Sequence, residues 1–177
     1  ATANTQTVLR SKVTVAGEAL GATSARTKNA IDDLGRIAFT ADSAGAVKLQ
    51  SLVVTIGGNA PSGVDFFVTS GTPIKLYDEA NGTTYAPTAT STTSVSFDLN
   101  NYSVSAGQTK KFLLRLNTEA PYTDAAVSGV SQGLSASVNA ATAVTFTTAD
   151  TGGTAGVNIP ATMVPFTINS VSYAQGT

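Results

Sequence analysis

Eleven carboxylates, ten basic side chains and five tyrosines carry most of the reactive polarity of this 177-residue chain, which has no histidine, cysteine or tryptophan. Without imidazole there is no Ser-His-Asp arrangement and no histidine metal ligand. Without thiols there is no disulfide framework and no thiolate metal site. Two carboxylates could still act as the acid and base of glycoside hydrolysis. Asp98, however, alternates away from Val95 and Phe97 and faces solvent, and the aromatic platforms that hold sugar rings are scarce, Phe and Tyr together making 7% of the chain. The sequence is therefore not read as an enzyme.

Hard oxygen ligands for calcium are better placed. Asp32 and Asp33 are adjacent, and the "DEANG" stretch puts Asp78, Glu79 and Asn81 in one turn, the kind of position where surface modules bind Ca²⁺. Neither group has EF-hand spacing. The simpler reading makes "DEANG" a hairpin loop with Gly82 or Asn81 left-handed, and makes Asp33 a partner for turn amides. No other cofactor is expected. Two N-glycosylation sequons fall in predicted turns, Asn81-Gly82-Thr83 and Asn101-Tyr102-Ser103. The run "TATSTTS" (88–94) could carry O-linked sugars or simply lead into a strand, and Lys110, Lys111 and Arg115 form a small basic patch suited to a solvated strand face.

The elements that would position these groups are strands. In "TKKFLLRLN", Phe112, Leu114 and Leu116 share one parity, while Lys111, Leu113, Arg115 and Asn117 share the other. Similar signals recur at 6–15, 34–41, 46–56, 63–70, 72–78, 83–88, 92–100, 133–139, 143–148 and 162–174, separated by Gly, Asn, Pro and Ser clusters. In 46–56, Val47 and Leu49 begin in phase and the chain then turns apolar on both parities at Leu52–Val54, which predicts a bulge or a strand buried on both sides. Gly107 is predicted to take a positive φ in the turn that feeds the Lys110–Leu116 strand. The one helix candidate, 24–35, has only Ile31 and Leu34 as apolar anchors and is read as a loop or single turn. The expected fold is all-β, an antiparallel β-sandwich of Ig-like or jelly-roll-like type with about ten strands and little or no helix. Residues 1–16 are read as an N-terminal arm or first strand, and 17–177 as a single sandwich domain.

Composition narrows the class of function. Charged residues are only 12% of the chain, while Ser and Thr make about a quarter, so the polar surface is largely neutral and hydroxyl-bearing. A net charge of −1 lacks the basic footprint of a nucleic-acid binder, and no basic run would dock on an anionic membrane. No apolar run approaches the roughly 20 residues of a membrane-spanning helix. The opening "ATANTQT" reads as a mature end after cleavage or a cut within a longer protein, and both ends read as edges of a module.

The order "TVLRSKVTV … SARTKNAIDDLGRIAFTADSAGAVKLQSLVVTI", followed by "IKLYDEANGTTYA … SVSFDLNNYSVSAGQTKKFLLRLNT", resembles β-sandwich modules of bacterial cell-surface proteins, S-layer-like or filament-forming. The likeness covers most of residues 6–118 and rests on turn and core positions. It implies a fold and an extracellular, cell-surface setting, with identical subunits as partners. The arm is the feature that would serve assembly: Val8, Val13 and Val15 lie in a β-rich segment that could pair with its own sheet or complete a neighbour's by strand addition. The expected function is thus a structural, self-assembling filament or S-layer-like subunit, pilus-like in using a donor strand, and a glycoprotein if the sequons are used. The alternative is an adhesin or carbohydrate-binding module of a larger secreted protein, with surface glycans as partners. That reading would be favoured by Tyr77, Tyr85, Tyr102 and Tyr122 sharing one surface. A viral capsid or tail protein is a third class.

Overall fold

The computed structural model describes residues 11–18, 20, 31–58, 74–90, 94–117, 132–138, 143–148, 159–160, 162–163 and 166–173. Among these residues there is no helix. The strands are β1 (Val13–Glu18), β2 (Ile31–Ala41), β3 (Val47–Gly58), β4 (Ile74–Asp78), β5 (Thr84–Tyr85), β6 (Ala89–Thr90), β7 (Ser94–Val104), β8 (Thr109–Asn117), β9 (Gln132–Val138), β10 (Val144–Thr148), β11 (Ile159–Pro160), β12 (Thr162–Met163) and β13 (Phe166–Tyr173). Four of the thirteen, β5, β6, β11 and β12, are two-residue strands, which leaves nine longer ones. The predicted strand at 63–70 lies outside the described residues.

They form two sheets. The first runs β12-β1-β2-β8-β4-β5, and the second runs β11-β10-β3-β7-β6 with β9 paired to both β3 and β13. Pairing is antiparallel except for β1 beside β12, a parallel contact at Thr14↔Thr162 and Val15↔Met163. The end strands of both paths are two-residue strands, a device that leaves little edge for unwanted pairing. One of them, β11, contains Pro160, which has no N–H to give and so belongs at an edge.

Alternation builds the interior. Val13 and Val15 of β1, Ile37 and Phe39 of β2, Ile74 and Leu76 of β4, and Phe112 and Leu114 of β8 are buried from the first sheet. Leu49, Leu52 and Val54 of β3, Val95, Phe97 and Leu99 of β7, and Phe146 of β10 are buried from the second, and all belong to one hydrophobic cluster. Phe112 joins the two contributions: its ring meets Phe39 of its own sheet at 5.5 Å and Tyr102 of the other at 5.1 Å, both edge-on. Burying such a side chain contributes about 2–3 kcal/mol.

Two local readings are met and one is shifted. Gly107 has φ +69° and Gly82 φ +76°. The Gly107 turn is tied to the β2–β3 connection, its N–H donating to Asp42 O at 3.2 Å. The bulge expected at Leu52–Val54 sits slightly earlier: Leu49 and Ser51 both pair, leaving Gln50 between them, and β7 answers with Asn100 and Asn101 at φ 47° and 60°. The segment 24–35, read as loop or turn, becomes strand from Ile31 onward, because β8 extends far enough to pair with it through Asn117.

Candidate functional site at the β4–β5 turn

Ile74, Leu76 and Asp78 alternate inward along β4, so the last inward position of the strand is a carboxylic acid. Asp78 is fully buried. Its Oδ1 accepts the Ala80 N–H at 2.8 Å, an Asx turn that starts the hairpin, and its own N–H donates to Thr83 O at 2.8 Å. Gly82 closes the turn by donating to Asp78 O at 2.9 Å, and the Asn81 side chain accepts the Thr83 N–H at 2.8 Å. Oδ2 of Asp78 meets no donor. Burial pushes the Tyr102 phenol well above its ordinary value, and the Asp78 carboxylate adds to the shift. Tyr85, raised by burial and then by the Asp78 charge, completes the group. The inward parity of Asp78 was available in "IKLYD", where the acid continues the apolar row.

Glu79 points the other way. Its carboxylate takes a two-pronged bond from Arg36, Nε to Oε2 at 2.7 Å and Nη2 to Oε1 at 2.8 Å. Arg36 also reaches Glu18 at 3.4 Å, and Lys111 meets Glu18 at 2.8 Å. The Lys111 hydrogen bond, aided by Arg36, holds the Glu18 carboxyl below the usual range against a smaller opposing effect of burial, while Glu79 raises the Arg36 guanidinium. These residues flank an open hollow of about 450 Å³ lined by Arg36, Glu79, Ala80, Thr109, Lys110 and Lys111. Further along the same outer face, Arg115 bonds Asp33 at 2.7 Å and lies 3.8 Å above the Tyr77 ring.

The calcium candidates therefore diverge. Asp33 faces Arg115, Glu79 faces Arg36, Asp78 turns inward, and the side chain of Asp32 lies outside the described residues. Among the described residues no three acids gather as a metal site. The tyrosines also separate: Tyr77 lies on the outer face under Arg115, Tyr85 and Tyr102 pack on Phe112, and Tyr122 is outside the described residues. Of the assembly candidates, Val13 and Val15 are buried in β1, which pairs with β2 of the same chain and runs across the 16/17 boundary. Val8 lies outside the described residues. Both sequon asparagines are exposed, Asn81 at the turn apex and Asn101 in the β7 bulge, where its Oδ1 accepts from Gln50 at 2.7 Å. Sequence reasoning missed the Arg36–Glu79 and Glu18–Lys111 pairs, since partners 43 and 93 residues apart have no local signature.

No protein-family model matches the sequence, and no curated protein is significantly similar to it.

Proposed function

We propose that this chain is a self-assembling structural protein of the cell surface, a filament or S-layer-like subunit whose two sheets are the layers of an antiparallel β-sandwich. The observation that carries this reading is the setting of β1. It stands next to the end of its sheet, and among the described residues its outer side pairs with the two residues of β12. Its inward side chains, Val13 and Val15, are nevertheless wholly buried. A strand held by two side-chain pockets and one antiparallel ladder is one that a neighbouring copy can supply in the same register. Repeated head to tail, such an exchange propagates as a polymer.

Deletion of residues 1–16 tests it, with electron microscopy of native material as the reference. The expected result is regular filaments or a lattice from the whole chain, and soluble or unstable, non-assembling protein from the truncated one. Unchanged assembly after deletion would sink strand exchange, and isolated particles from native material would sink assembly itself.

A further inference from the structure

The two sequons differ in a way that their sequences do not disclose, and we propose that Asn81, not Asn101, is the site at which the folded chain takes an N-linked glycan. Asn81, Gly82 and Thr83 are all exposed and stand together at the apex of the β4–β5 hairpin. The Asn81 carboxamide is oriented by its Oδ1, which accepts the Thr83 N–H at 2.8 Å, and this bond turns it toward the residue that supplies the sequon hydroxyl. Gly82 at φ +76° brings no side chain to the apex. No side chain of the tripeptide enters the core, and its ties to Asp78 run through backbone atoms alone, so an enzyme can reach all three side-chain positions from solvent.

Asn101 offers the opposite case. Its tripeptide is part of a ladder, with Tyr102 opposite Leu49 and Ser103 opposite Lys48. The middle residue is anchored inward, the Tyr102 ring lying edge-on to Phe112 at 5.1 Å and packed against the hydrophobic cluster. The Asn101 carboxamide is already engaged by Gln50 at 2.7 Å. Lifting this segment into an active site would pull an aromatic ring out of the core.

The reaction is a substitution at the anomeric carbon of a polyprenyl-phosphate-linked oligosaccharide. Asn81 Nδ2 forms the new N–C bond and gives up a proton, and the sugar–phosphate C–O bond breaks with its electron pair leaving on the polyprenyl phosphate. No oxidant or reductant is required.

Peptide mapping by mass spectrometry of protein purified from its own source tests the assignment. The peptide bearing Asn81 is expected to be heavier by a whole number of sugar residues and to return to its bare mass after chemical deglycosylation, with the Asn101 peptide unmodified. In the same host, Thr83→Ala should abolish the added mass and Thr83→Ser retain it. Neither removes the Asp78 N–H to Thr83 O bond, which uses the backbone. A bare Asn81 peptide, or sugar on Asn101, would overturn the proposal.

Discussion

The outer faces of the two sheets are built from different chemistry. On the first sheet, Arg36 links Glu79 and Glu18, Lys111 meets Glu18, and Arg115 pairs with Asp33. On the second, Gln50 donates to Asn101 at 2.7 Å and to Thr147 at 3.3 Å, and Ser51 bonds Thr145 at 2.6 Å. Cross-strand rows there read Thr145–Ser51–Asp98 and Thr147–Lys48–Ser103. Long charged side chains surrender rotamer freedom when they pair, whereas Ser and Thr have little to lose. Among the described residues the ion pairs lie on the first sheet, while the second carries mostly neutral hydroxyl and amide groups, with Lys48 and Asp98 between them. The two surfaces should answer differently to salt and to pH, although both sheets contribute to one hydrophobic cluster.

The largest effect tests that shared core. Phe112→Ala removes the ring that meets both Phe39 and Tyr102, and a loss of about 3–5 kcal/mol is expected in urea denaturation. A loss no greater than that of a surface substitution would mean that the sheets are stabilised separately. Next in size is the dependence on pH. Tyr102 and Tyr85 have raised pKa values in the fold, so their contribution is complete below the unfolded tyrosine value of about 10 and is lost as pH rises toward and through the folded values. Glu18 is lowered, so its contribution is complete above the ordinary glutamate value and is lost as pH falls through the lowered one. Melting temperature against pH should therefore fall at both ends, and Glu18→Gln should flatten only the acid limb. A variant that left the acid limb unchanged would remove Glu18 as its source.

The smallest effect separates the faces most cleanly. Arg36→Ala should cost about 1 kcal/mol or less, and the difference from the parent should shrink in about 1 M salt, where screening acts over roughly 3 Å. Gln50→Ala, a neutral loss of about 0.5–1.5 kcal/mol, should keep its size at both salt concentrations. Equal salt dependence in the two variants would erase the distinction.

Much of this architecture was legible in alternation. Phe112 and Leu114 against Lys111 and Arg115, and Val95, Phe97 and Leu99 against Asp98, have the burial that their parity predicts. The left-handed glycines were legible because a turn flanked by strands demands a residue without Cβ. Leu113 was not: it shares parity with Lys111, yet it is only 7% exposed, in register between Arg36 and Tyr77. The buried Asp78 was misplaced because an acid beside Glu79 and Asn81 resembles a loop ligand, and the tyrosines that receive it come from β5 and β7. Parity is a local property. Strand order decides who meets whom, and no short stretch records it.

The paired irregularity in β3 and β7 has a consequence that is best put in terms of reading frame. Along β3 the buried residues are Val47 and Leu49, then Leu52 and Val54; along β7 they are Val95, Phe97 and Leu99, then Val104, with Tyr102 packed against them. Each strand changes from one frame to the other at the place where its partner does, through Gln50 on one side and Asn100–Asn101 on the other. Length at this point is therefore encoded jointly. Removing Gln50 alone would bring Val47, Leu49, Leu52 and Val54 into one unbroken alternation while β7 kept its own irregularity, so the two strands would match again only after a compensating change near Asn101, 51 residues away.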